Sequence, residues 1–268
     1  MAKPERVDLY GSYRHFTDPV LDAIRKETFG TDIGQNSWLT VDEYERLLPS
    51  LNLSADDHVL EVASGSGGPA LYLARTTGCR VTGIDANESA VATATEMAER
   101  SGESGRVRFQ AADANSALPF EDHSFDGLVC IDSMNHFPDR LAVFREWHRV
   151  LRTGRRALFT DPVVLTGPVT NDELARRSSV GLFLFVPPGI NDQLMKEAGF
   201  TLVRQEDVTA NAEQVAGRWH RARQAHKDDL LGIEGEERFE GLQRFFEAVH
   251  DLTSQKRLSR IAYVAEKR

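Results

Sequence analysis

Three acidic residues lie in successive short apolar segments: Glu61 in HVLEVA (58–63), Asp85 in RVTGID (80–85) and Asp113 in RVRFQAAD (106–113). These segments predict β-strands, and the carboxyl ends of parallel strands face one edge of a sheet, so the three carboxylates are expected to share a crevice. Such a crevice attracts cations, and its carboxylates accept hydrogen bonds from hydroxyl and amino groups. One acid alone could be an exposed charge or a helix cap, but three in succession favour a ligand site.

A glycine-rich turn follows the first predicted strand in VLEVASGSGG (59–68). Gly65, Gly67 and Ala70 fit the relaxed pattern G-x-G-x-x-A, and Asp85 follows Gly65 by twenty residues, as in dinucleotide-binding sites. A pyrophosphate would meet three carboxylates here, whereas a positively charged ligand without phosphate fits the acidic crevice. The alternative is that the glycines only let the next helix approach the sheet.

Strand-like and helix-like segments alternate through the middle of the chain. The predicted strands are 58–63, 80–85, 106–113, 125–133 and 155–163, and the predicted helices are 68–78, 87–102 and 138–154. This alternation is typical of a parallel sheet with helices on both faces. With the alternating final segment RLSRIAYVAEKR as a closing edge strand, it predicts an α/β, doubly wound sheet.

Helix-rich segments flank this predicted sheet and suggest a covering structure. We expect an N-terminal helical lid over residues 1–50 and a main domain over 51–268, with cap insertions at about 164–190 and 208–256. The second insertion contains ERFEGLQRFFEAVHDL, whose apolar residues recur at helical spacing. It could cover a substrate pocket or form the face of a homodimer.

The composition indicates a globular protein, with 41% hydrophobic and 27% charged residues among 268. The formal net charge of −9 argues against nucleic acid as a partner. Cys79 and Cys130 lie in apolar runs and predict no disulfide, and His220 and His226 lack the neighbouring ligands of a metal site. Because no apolar run is long enough to span a membrane and the N-terminus lacks a signal-peptide pattern, we expect a cytoplasmic enzyme.

Several motifs, in order, resemble those of class I S-adenosylmethionine-dependent methyltransferases over about residues 58–161. They are VLEVASGSGG, VTGIDAN, FQAADANSALPFEDHSFDGLVCIDSMNHFPDR and EWHRVLRTGRRALFTD. The resemblance implies a Rossmann-like, doubly wound sheet of seven strands, six parallel and one antiparallel at the edge. It implies S-adenosylmethionine as cofactor and S-adenosylhomocysteine as product. It implies these cofactor-binding residues: Glu61, Ala63, Ser64, Gly65 and Gly67 at the methionine part, Asp85 at the ribose, and Ala86, Asp113, Ala114, Cys130 and Ile131 around the adenine and at the end of the fourth strand. Ala63 replaces a glycine of the family, and its small size is expected to preserve the turn.

The flanking segments resemble small-molecule methyltransferases of the phosphoethanolamine and glycine/sarcosine type. FTDPVLDAIRKETFGTDIGQNSWLT is similar to their N-terminal lid, and CIDSMNHF is similar to their loop after the fourth strand. In the phosphoethanolamine enzymes a lid tyrosine and the loop histidine close the site; here the histidine is His136, and Phe16 stands nearest the tyrosine position. The resemblance implies Tyr13 as that tyrosine, Tyr10, Gln35 and Ser37 at the cofactor, and Trp38 and Asp132 at the substrate.

His136 is the candidate general base, because an imidazole titrates near neutral pH and an acceptor hydroxyl or ammonium must lose a proton. Its alternative role is packing or capping in the loop. Asp132 could bind a cationic substrate or the ammonium of the cofactor. Pro162 replaces a phosphate-binding tyrosine of the phosphoethanolamine enzymes, and no basic residue aligns in the following insertion, so a phosphorylated substrate is disfavoured. The apolar VGLFLFVPPG suggests a substrate with a hydrophobic portion.

The predicted function is transfer of a methyl group from S-adenosylmethionine to a nitrogen or oxygen of a small-molecule metabolite. Two alternatives remain at this point. A nicotinamide-dependent oxidoreductase would use the same glycine pattern, although Glu61 and Asp113 disfavour it. A cofactor-binding protein without transferase activity would need no general base.

Overall fold

A seven-stranded sheet with the strand order β3-β2-β1-β4-β5-β7-β6 organises the chain. The computed structural model describes Tyr13 and residues 15–268. The strands are β1 (His58–Val62), β2 (Arg80–Asp85), β3 (Val107–Ala111), β4 (Phe125–Cys130), β5 (Leu151–Leu165), β6 (Phe200–Asp207) and β7 (Leu258–Lys267). Pairing is parallel from β3 through β5, and β7 is antiparallel to both β5 and β6. The predicted sheet of six parallel strands and one antiparallel strand is confirmed.

The antiparallel strand β7 lies between β5 and β6, so its position differs from the expected edge. Almost every residue of β7 is buried, because helices cover both of its faces. This edge is formed by β6, a strand that the sequence analysis did not locate, and every residue of β6 after the buried Phe200 is half-buried or exposed. Charged residues such as Arg204 and Glu206 on this strand suit an edge, since they discourage pairing with another chain.

Three helices connect the parallel strands. These are α3 (Gly68–Thr77), α4 (Glu88–Arg100) and α5 (Arg140–Val150). The Asn87 side chain caps α4 by accepting from the backbone N–H groups of Ser89 and Ala90, and Gly78 ends α3 in the left-handed region. The predicted helices 68–78 and 87–102 are therefore present, with ends within two residues of those expected.

The junction between α5 and β5 corrects a predicted boundary. We expected a helix from 138 to 154 that ends at Gly154, but α5 ends at Val150 and β5 begins at Leu151. Gly154 has φ +76° within an irregular stretch of β5, where the pairing shifts from Phe125–Leu151 to Gly127–Arg156. A bulge that needs a left-handed residue therefore produces the same sequence signal as a helix end.

The other helices lie before β1 and between β5 and β7. They are α1 (Pro19–Phe29), α2 (Val41–Leu47), α6 (Asn171–Arg177), α7 (Ile190–Glu197), α8 (Thr209–Ala225), α9 (Lys227–Glu234) and α10 (Glu236–Ser254). Helix α1 packs on α8, and α8 packs on α10. Helices thus occupy much of the segments proposed as lid and caps.

Buried side chains form a core on each face of the sheet and a third cluster among the flanking helices. Phe144 and Trp147 of α5 pack in the first, and Leu71 and Leu73 of α3 in the second. The third, here called the cap cluster, joins residues of α8 and α10 with side chains near α1: Phe29, Trp38, Val180, Ala212, Val215, Ala216, Leu242, Phe245, Phe246 and Val249. Among the described residues, no helix has the length and apolar character needed to cross a membrane.

Candidate active site

A cavity of about 350 Å³ opens where β1, β2 and β4 end, and it extends to α8 and α10. Most of the predicted site residues line it: Tyr13, Ser37, Trp38, Glu61, Ala63, Ser64, Gly65, Asp85, Ala86, Asp113, Ala114, Ile131, Asp132 and His136. The structure therefore brings together residues that are spread over more than 120 positions of the chain. Tyr10, predicted at the cofactor, lies outside the described residues.

Glu61 is fully enclosed where β1 enters the glycine turn. Its Oε2 atom has no hydrogen-bond partner within the part of the chain that the structure describes. Burial, with repulsion from Asp85, raises the pKa of Glu61 to about 8. A buried carboxyl oxygen without a partner that borders a cavity indicates a ligand group that donates a hydrogen bond or carries positive charge.

Asp85 ties the glycine turn to the end of β2. Its Oδ2 accepts from the Gly65 N–H at 2.9 Å, and its Oδ1 accepts from the Asn87 N–H at 2.9 Å. Burial raises the pKa of Asp85, and these backbone donors oppose that shift. Since each carboxylate oxygen has a second lone pair, Asp85 can still accept hydrogen bonds from ligand hydroxyl groups.

The glycine turn combines strained and closely packed backbone. Ala63 has φ +56°, in the region that favours glycine, so the predicted turn is present despite the alanine. A Cβ on Gly65 would lie 2.9 Å from the Tyr13 hydroxyl, which places that lid tyrosine against the turn. A Cβ on Gly67 would lie 2.6 Å from the Phe109 ring.

Three predicted cofactor residues do not line the cavity. Gly67 packs against the Phe109 ring, which explains why a glycine stands at this position without invoking a ligand. The Gln35 amide is buried, with its oxygen accepting from Ile33 N–H at 2.9 Å and its nitrogen donating to the Leu39 carbonyl at 3.3 Å. Cys130 is enclosed in the core beside β4. The structure thus gives these three residues roles in the fold, through the side chains of Gln35 and Cys130 and the backbone of Gly67, and their assignment to the cofactor stays a prediction.

Asp113 and its neighbours border the cavity at the end of β3. The Asp113 Oδ1 atom accepts from the backbone and side-chain N–H groups of Asn115, both at 2.9 Å. Ala86, Ala114 and Ile131 supply apolar surface nearby. A flat ring with polar edges, such as adenine, suits this combination of small apolar side chains and a carboxylate.

Asp132 is engaged on both oxygens, which changes its expected role. Its Oδ1 accepts from Arg260 Nε at 2.6 Å and from the Thr160 hydroxyl at 2.7 Å, and its Oδ2 accepts from Trp38 N–H at 2.8 Å. Arg260 is fully buried and also pairs with Glu43 of α2. The negative charge of Asp132 is therefore compensated inside the protein, and the structure favours positioning of the Trp38 loop over capture of a cationic substrate.

His136 lies in the short 3₁₀ helix Met134–His136 and is partly buried. Its Nδ1 lies 3.0 Å from the Leu182 carbonyl, and its Nε2 lies 3.1 Å from the Asn135 amide nitrogen. Because a carbonyl only accepts, Nδ1 carries the proton and Nε2 holds the lone pair that accepts from Asn135. Burial lowers the pKa of His136, so the imidazole is neutral at pH 7.

The far part of the cavity is aromatic. Trp38 packs against Phe245 and Phe246 with ring centroids 6.1 and 6.2 Å apart, and Trp219 stacks on Phe246 at 5.2 Å. These four rings line the cavity together with Phe183. This wall agrees with the hydrophobic substrate portion suggested by the sequence.

Sequence reasoning missed Arg177, which lines the same aromatic part of the cavity. The sequence analysis aligned no basic residue in the insertion after β5, but the structure buries Arg177 of that insertion at the end of α6. The adjacent arginines Arg176 and Arg177 were a usable signal. Adjacent positions of an amphipathic helix point in different directions, so one of the two can lie on the inner face, and here it is Arg177. No group of three or more potential metal ligands occurs in the described residues.

The site fits the cofactor that the sequence implies. S-adenosylmethionine has a cationic methionine part, ribose hydroxyl groups and an adenine ring. Glu61 Oε2 and Ser64 Oγ, both buried at the turn, have no hydrogen-bond partner in the described part of the chain, and they fit a hydrogen-bond-donating ammonium and its neighbouring atoms. Asp85 and Asp113 offer acceptors at the ends of the next two strands.

Comparisons with known proteins agree with this site. A family model described as a methyltransferase domain matches residues 60–159. The chain is 31% identical over 217 residues to 27-O-demethylrifamycin SV methyltransferase of Amycolatopsis mediterranei, covering 78% of this chain and 79% of that protein. It is 29% identical over 222 residues to sarcosine/dimethylglycine N-methyltransferase of Halorhodospira halochloris, covering 83% and 74%.

A solved structure shares the fold. It is phosphoethanolamine N-methyltransferase 2 of Haemonchus contortus in complex with phosphomonomethylethanolamine and S-adenosylhomocysteine. The TM-score is 0.80 at 20% identity, and the match covers 96% of this chain and 60% of the other. The nicotinamide oxidoreductase and the non-catalytic binding protein are not favoured by these matches. The chain belongs to the class I S-adenosylmethionine-dependent methyltransferases, and it is an enzyme that transfers the methyl group of that cofactor.

Proposed function

We propose that this enzyme methylates an oxygen or nitrogen atom of a small molecule, with His136 as the proton acceptor. The neutral imidazole in the cavity wall, next to an aromatic chamber, carries the proposal. The relatives named for a demethylrifamycin and for sarcosine and dimethylglycine support oxygen and nitrogen acceptors, respectively. We further expect the enzyme to act in the cytoplasm, and a homodimer is retained as a prediction.

The predicted cofactor residues divide the near part of the cavity among the groups of the ligand. When bound, S-adenosylmethionine supplies an activated methyl group. We assign Glu61 to the ammonium of the methionine part, Asp85 to the ribose hydroxyls, and Asp113 with Ala114 to the adenine edge. Most of the rate enhancement then comes from holding the acceptor in line with the methyl group, with proximity and alignment contributing several kcal/mol.

His136 can act as a general base once an acceptor group replaces Asn135 as the hydrogen-bond donor to its Nε2 atom. The Leu182 carbonyl fixes the Nδ1–H form, which leaves Nε2 as the basic atom. In this structure the Asn135 amide donates to Nε2. An acceptor hydroxyl or ammonium would replace that amide as donor and pass its proton to Nε2.

The N-terminal segment and the helices α8 to α10 are proposed to enclose the reactants. Tyr13 and Ser37 approach from the N-terminal side, and Trp219 and Phe246 approach from α8 and α10. We propose that residues up to 50 form a lid, and that the insertions at about 164–190 and 208–256 form a cap on the main domain. Exclusion of water by such a cover strengthens the electrostatic interactions inside.

The test compares His136→Gln with His148→Gln, a variant of a histidine in α5 outside the cavity lining. S-adenosylhomocysteine formation is measured with a panel of hydroxylated and amine acceptors. We expect His136→Gln to lower kcat/KM about 10²–10⁴-fold while S-adenosylhomocysteine affinity stays unchanged. His148→Gln should retain activity.

The pH profile separates a base from a packing residue. Because burial lowers the pKa of His136, wild-type kcat/KM should fall with an acid limb below about pH 6.5, the ordinary value for histidine. His136→Gln should lose this limb. An unchanged limb in the variant would assign the ionisation to another group and reject His136 as the base.

A further inference from the structure

Arg177 is a buried cation whose charge no carboxylate of the described residues pairs with. Its side chain lies at the end of α6 with 2% of the residue exposed. Nη1 has no hydrogen-bond partner among the residues described, and Nη2 makes one long contact of 3.4 Å to the Pro162 carbonyl. Burial lowers the pKa of Arg177 to about 9, so its charged form is penalised in this environment.

The other buried arginines of the structure have carboxylate partners. Among the described residues, Arg25 pairs with Asp22 and Asp32, Arg140 pairs with Asp161, Arg223 pairs with Glu234, and Arg260 pairs with Asp132 and Glu43. Burial of a charge without a partner costs far more than burial of a pair. Arg177 is therefore an exception within this molecule.

The two acidic residues that attract Arg177 are already engaged. Asp132 accepts from Arg260, Thr160 and the Trp38 backbone, as described above. Asp161 binds the Arg140 guanidinium and accepts from the Asn191 amide at 2.8 Å. Neither forms an ion pair with Arg177, so the donors of Arg177 are left for another acceptor.

Aromatic rings surround the guanidinium and compensate for part of the lost hydration. The central carbon of Arg177 lies 4.8 Å from the Phe183 ring centroid, 5.3 Å from Phe245 and 5.9 Å from Trp38. Cation–π contacts of this length stabilise a positive charge but do not satisfy its N–H groups. All three rings and Arg177 line the cavity, so a ligand can reach this group.

We propose that Arg177 binds a carboxylate, or an equally acidic oxygen of charge −1, on the acceptor molecule, whose aromatic or apolar frame lies against Trp38, Phe183 and Phe245. This inference rests on the proposed function, because it assigns the substrate class of the same cavity. A guanidinium recognises a carboxylate through two parallel hydrogen bonds, which would use the free donors. The single positive charge of Arg177 can neutralise one carboxylate. A phosphate dianion would keep one negative charge without a partner at this group.

The first test measures charge preference directly. Calorimetric titrations of the enzyme saturated with S-adenosylhomocysteine use benzoate, the uncharged benzamide of the same shape, and phenyl phosphate. We expect wild type to bind benzoate at least tenfold more tightly than benzamide and more tightly than phenyl phosphate. A stronger response to phenyl phosphate would replace the carboxylate with a phosphate group, and equal responses, including no binding of any, would overturn the proposal.

Variants locate the preference. Arg177→Met removes the charge and keeps a long apolar side chain, Arg177→Lys keeps the charge, and Arg176→Met is the matched control on the exposed side of α6. We expect Arg177→Met to bind benzoate and benzamide equally, while Arg176→Met behaves as wild type and Arg177→Lys keeps part of the preference. Retention of the full preference in Arg177→Met would overturn the assignment.

Thermal unfolding without ligand distinguishes a binding role from a structural one. A charge retained for a ligand weakens the empty protein, so Arg177→Met should raise Tm by a few degrees. A fall in Tm would mean that Arg177 serves the fold, and would overturn the proposal. Binding of S-adenosylhomocysteine to the wild-type enzyme is measured separately. If the wild-type enzyme did not bind it, the result would count against the proposed function and not against the role of Arg177.

Discussion

At the scale of single residues, Glu61 shows how burial sets a protonation state. Its carboxyl group is enclosed and close to Asp85, and its pKa is raised to about 8, compared with an ordinary value near 4.5. The folded, ligand-free protein therefore holds a proton on Glu61 at neutral pH, whereas the unfolded chain does not. A cationic ligand would favour the ionised carboxylate and release that proton.

This difference makes the stability of the ligand-free enzyme depend on pH. Between about pH 4.5 and 8 the folded state binds more protons than the unfolded state, so the contribution of Glu61 to the free energy of unfolding falls as pH rises. Because Glu61→Gln cannot ionise, its free energy of unfolding should vary less with pH than that of the wild type. The difference should amount to a few kcal/mol between about pH 4.5 and 8. Urea unfolding from pH 5 to 9 checks the prediction, and parallel slopes for wild type and variant would contradict it.

Ala63 carries backbone strain that glycine would not. Its φ of +56° costs about 1–2 kcal/mol for a residue with a Cβ atom. Ala63→Gly removes this cost but increases the entropy of the unfolded chain, so we expect a net stabilisation of about 0.5–1 kcal/mol. Chemical denaturation measures it. Ala92→Gly at an exposed position of α4 is the control and should destabilise by about 1 kcal/mol.

At the scale of elements, one buried arginine joins three parts of the fold. Arg260 of β7 pairs with Glu43 of α2 and with Asp132 after β4, and Asp132 accepts from the backbone of Trp38. Asp132 itself adopts φ +54°, which an asparagine tolerates equally well. The loop that carries Trp38 is thus fixed to the sheet by charge as well as by packing.

Asp132→Asn should break this network without adding backbone strain. Its amide NH₂ would face the donors of Arg260 or Trp38, and the buried guanidinium would lose half of its charge compensation. We expect a loss of about 3–5 kcal/mol in the free energy of unfolding. Glu96→Gln, which removes an exposed pair with Arg100, is the control and should change stability by about 0.5 kcal/mol or less. Similar losses in both variants would disprove a special role for the network.

At the scale of the whole molecule, the cap cluster is a hydrophobic core separate from the two cores on the faces of the sheet. Helices α8 and α10 contact each other more extensively than they contact β7. Regions held mainly by their own packing can open without global unfolding. The cover of the cavity is therefore expected to open more easily than the sheet.

Val215→Ala tests this separation, because Val215 of α8 is fully buried in the cap cluster. Loss of two methyl groups should cost about 1–3 kcal/mol, confined to the opening of α8 and α10. Hydrogen exchange should accelerate in those helices and stay unchanged in β1 and β4. Val129→Ala in β4 is the control and should lower protection throughout the chain. Equal acceleration everywhere in Val215→Ala would indicate a single cooperative unit.

The sequence alone determined the parallel strands β1 to β5, the glycine turn and the acidic strand ends, because these follow from local patterns. A buried parallel strand is a short apolar run, its end faces a crevice, and the residues after it are close in sequence to the strand that positions them. Glu61, Asp85 and Asp113 could therefore be placed at one cavity from their spacing. The packing of Ala63 and Gly65 in a left-handed turn is likewise a local property.

Only the tertiary structure decided which charges are already used and which are free. The role of Asp132 depends on Arg260, 128 positions away, and the exceptional state of Arg177 depends on Trp38, Phe183 and Phe245, which come from three separate segments. The place of β7 inside the sheet depends on helices that cover it. Strand pairing, ion pairing and burial each depend on residues that are distant in sequence, so a short stretch of sequence cannot show them.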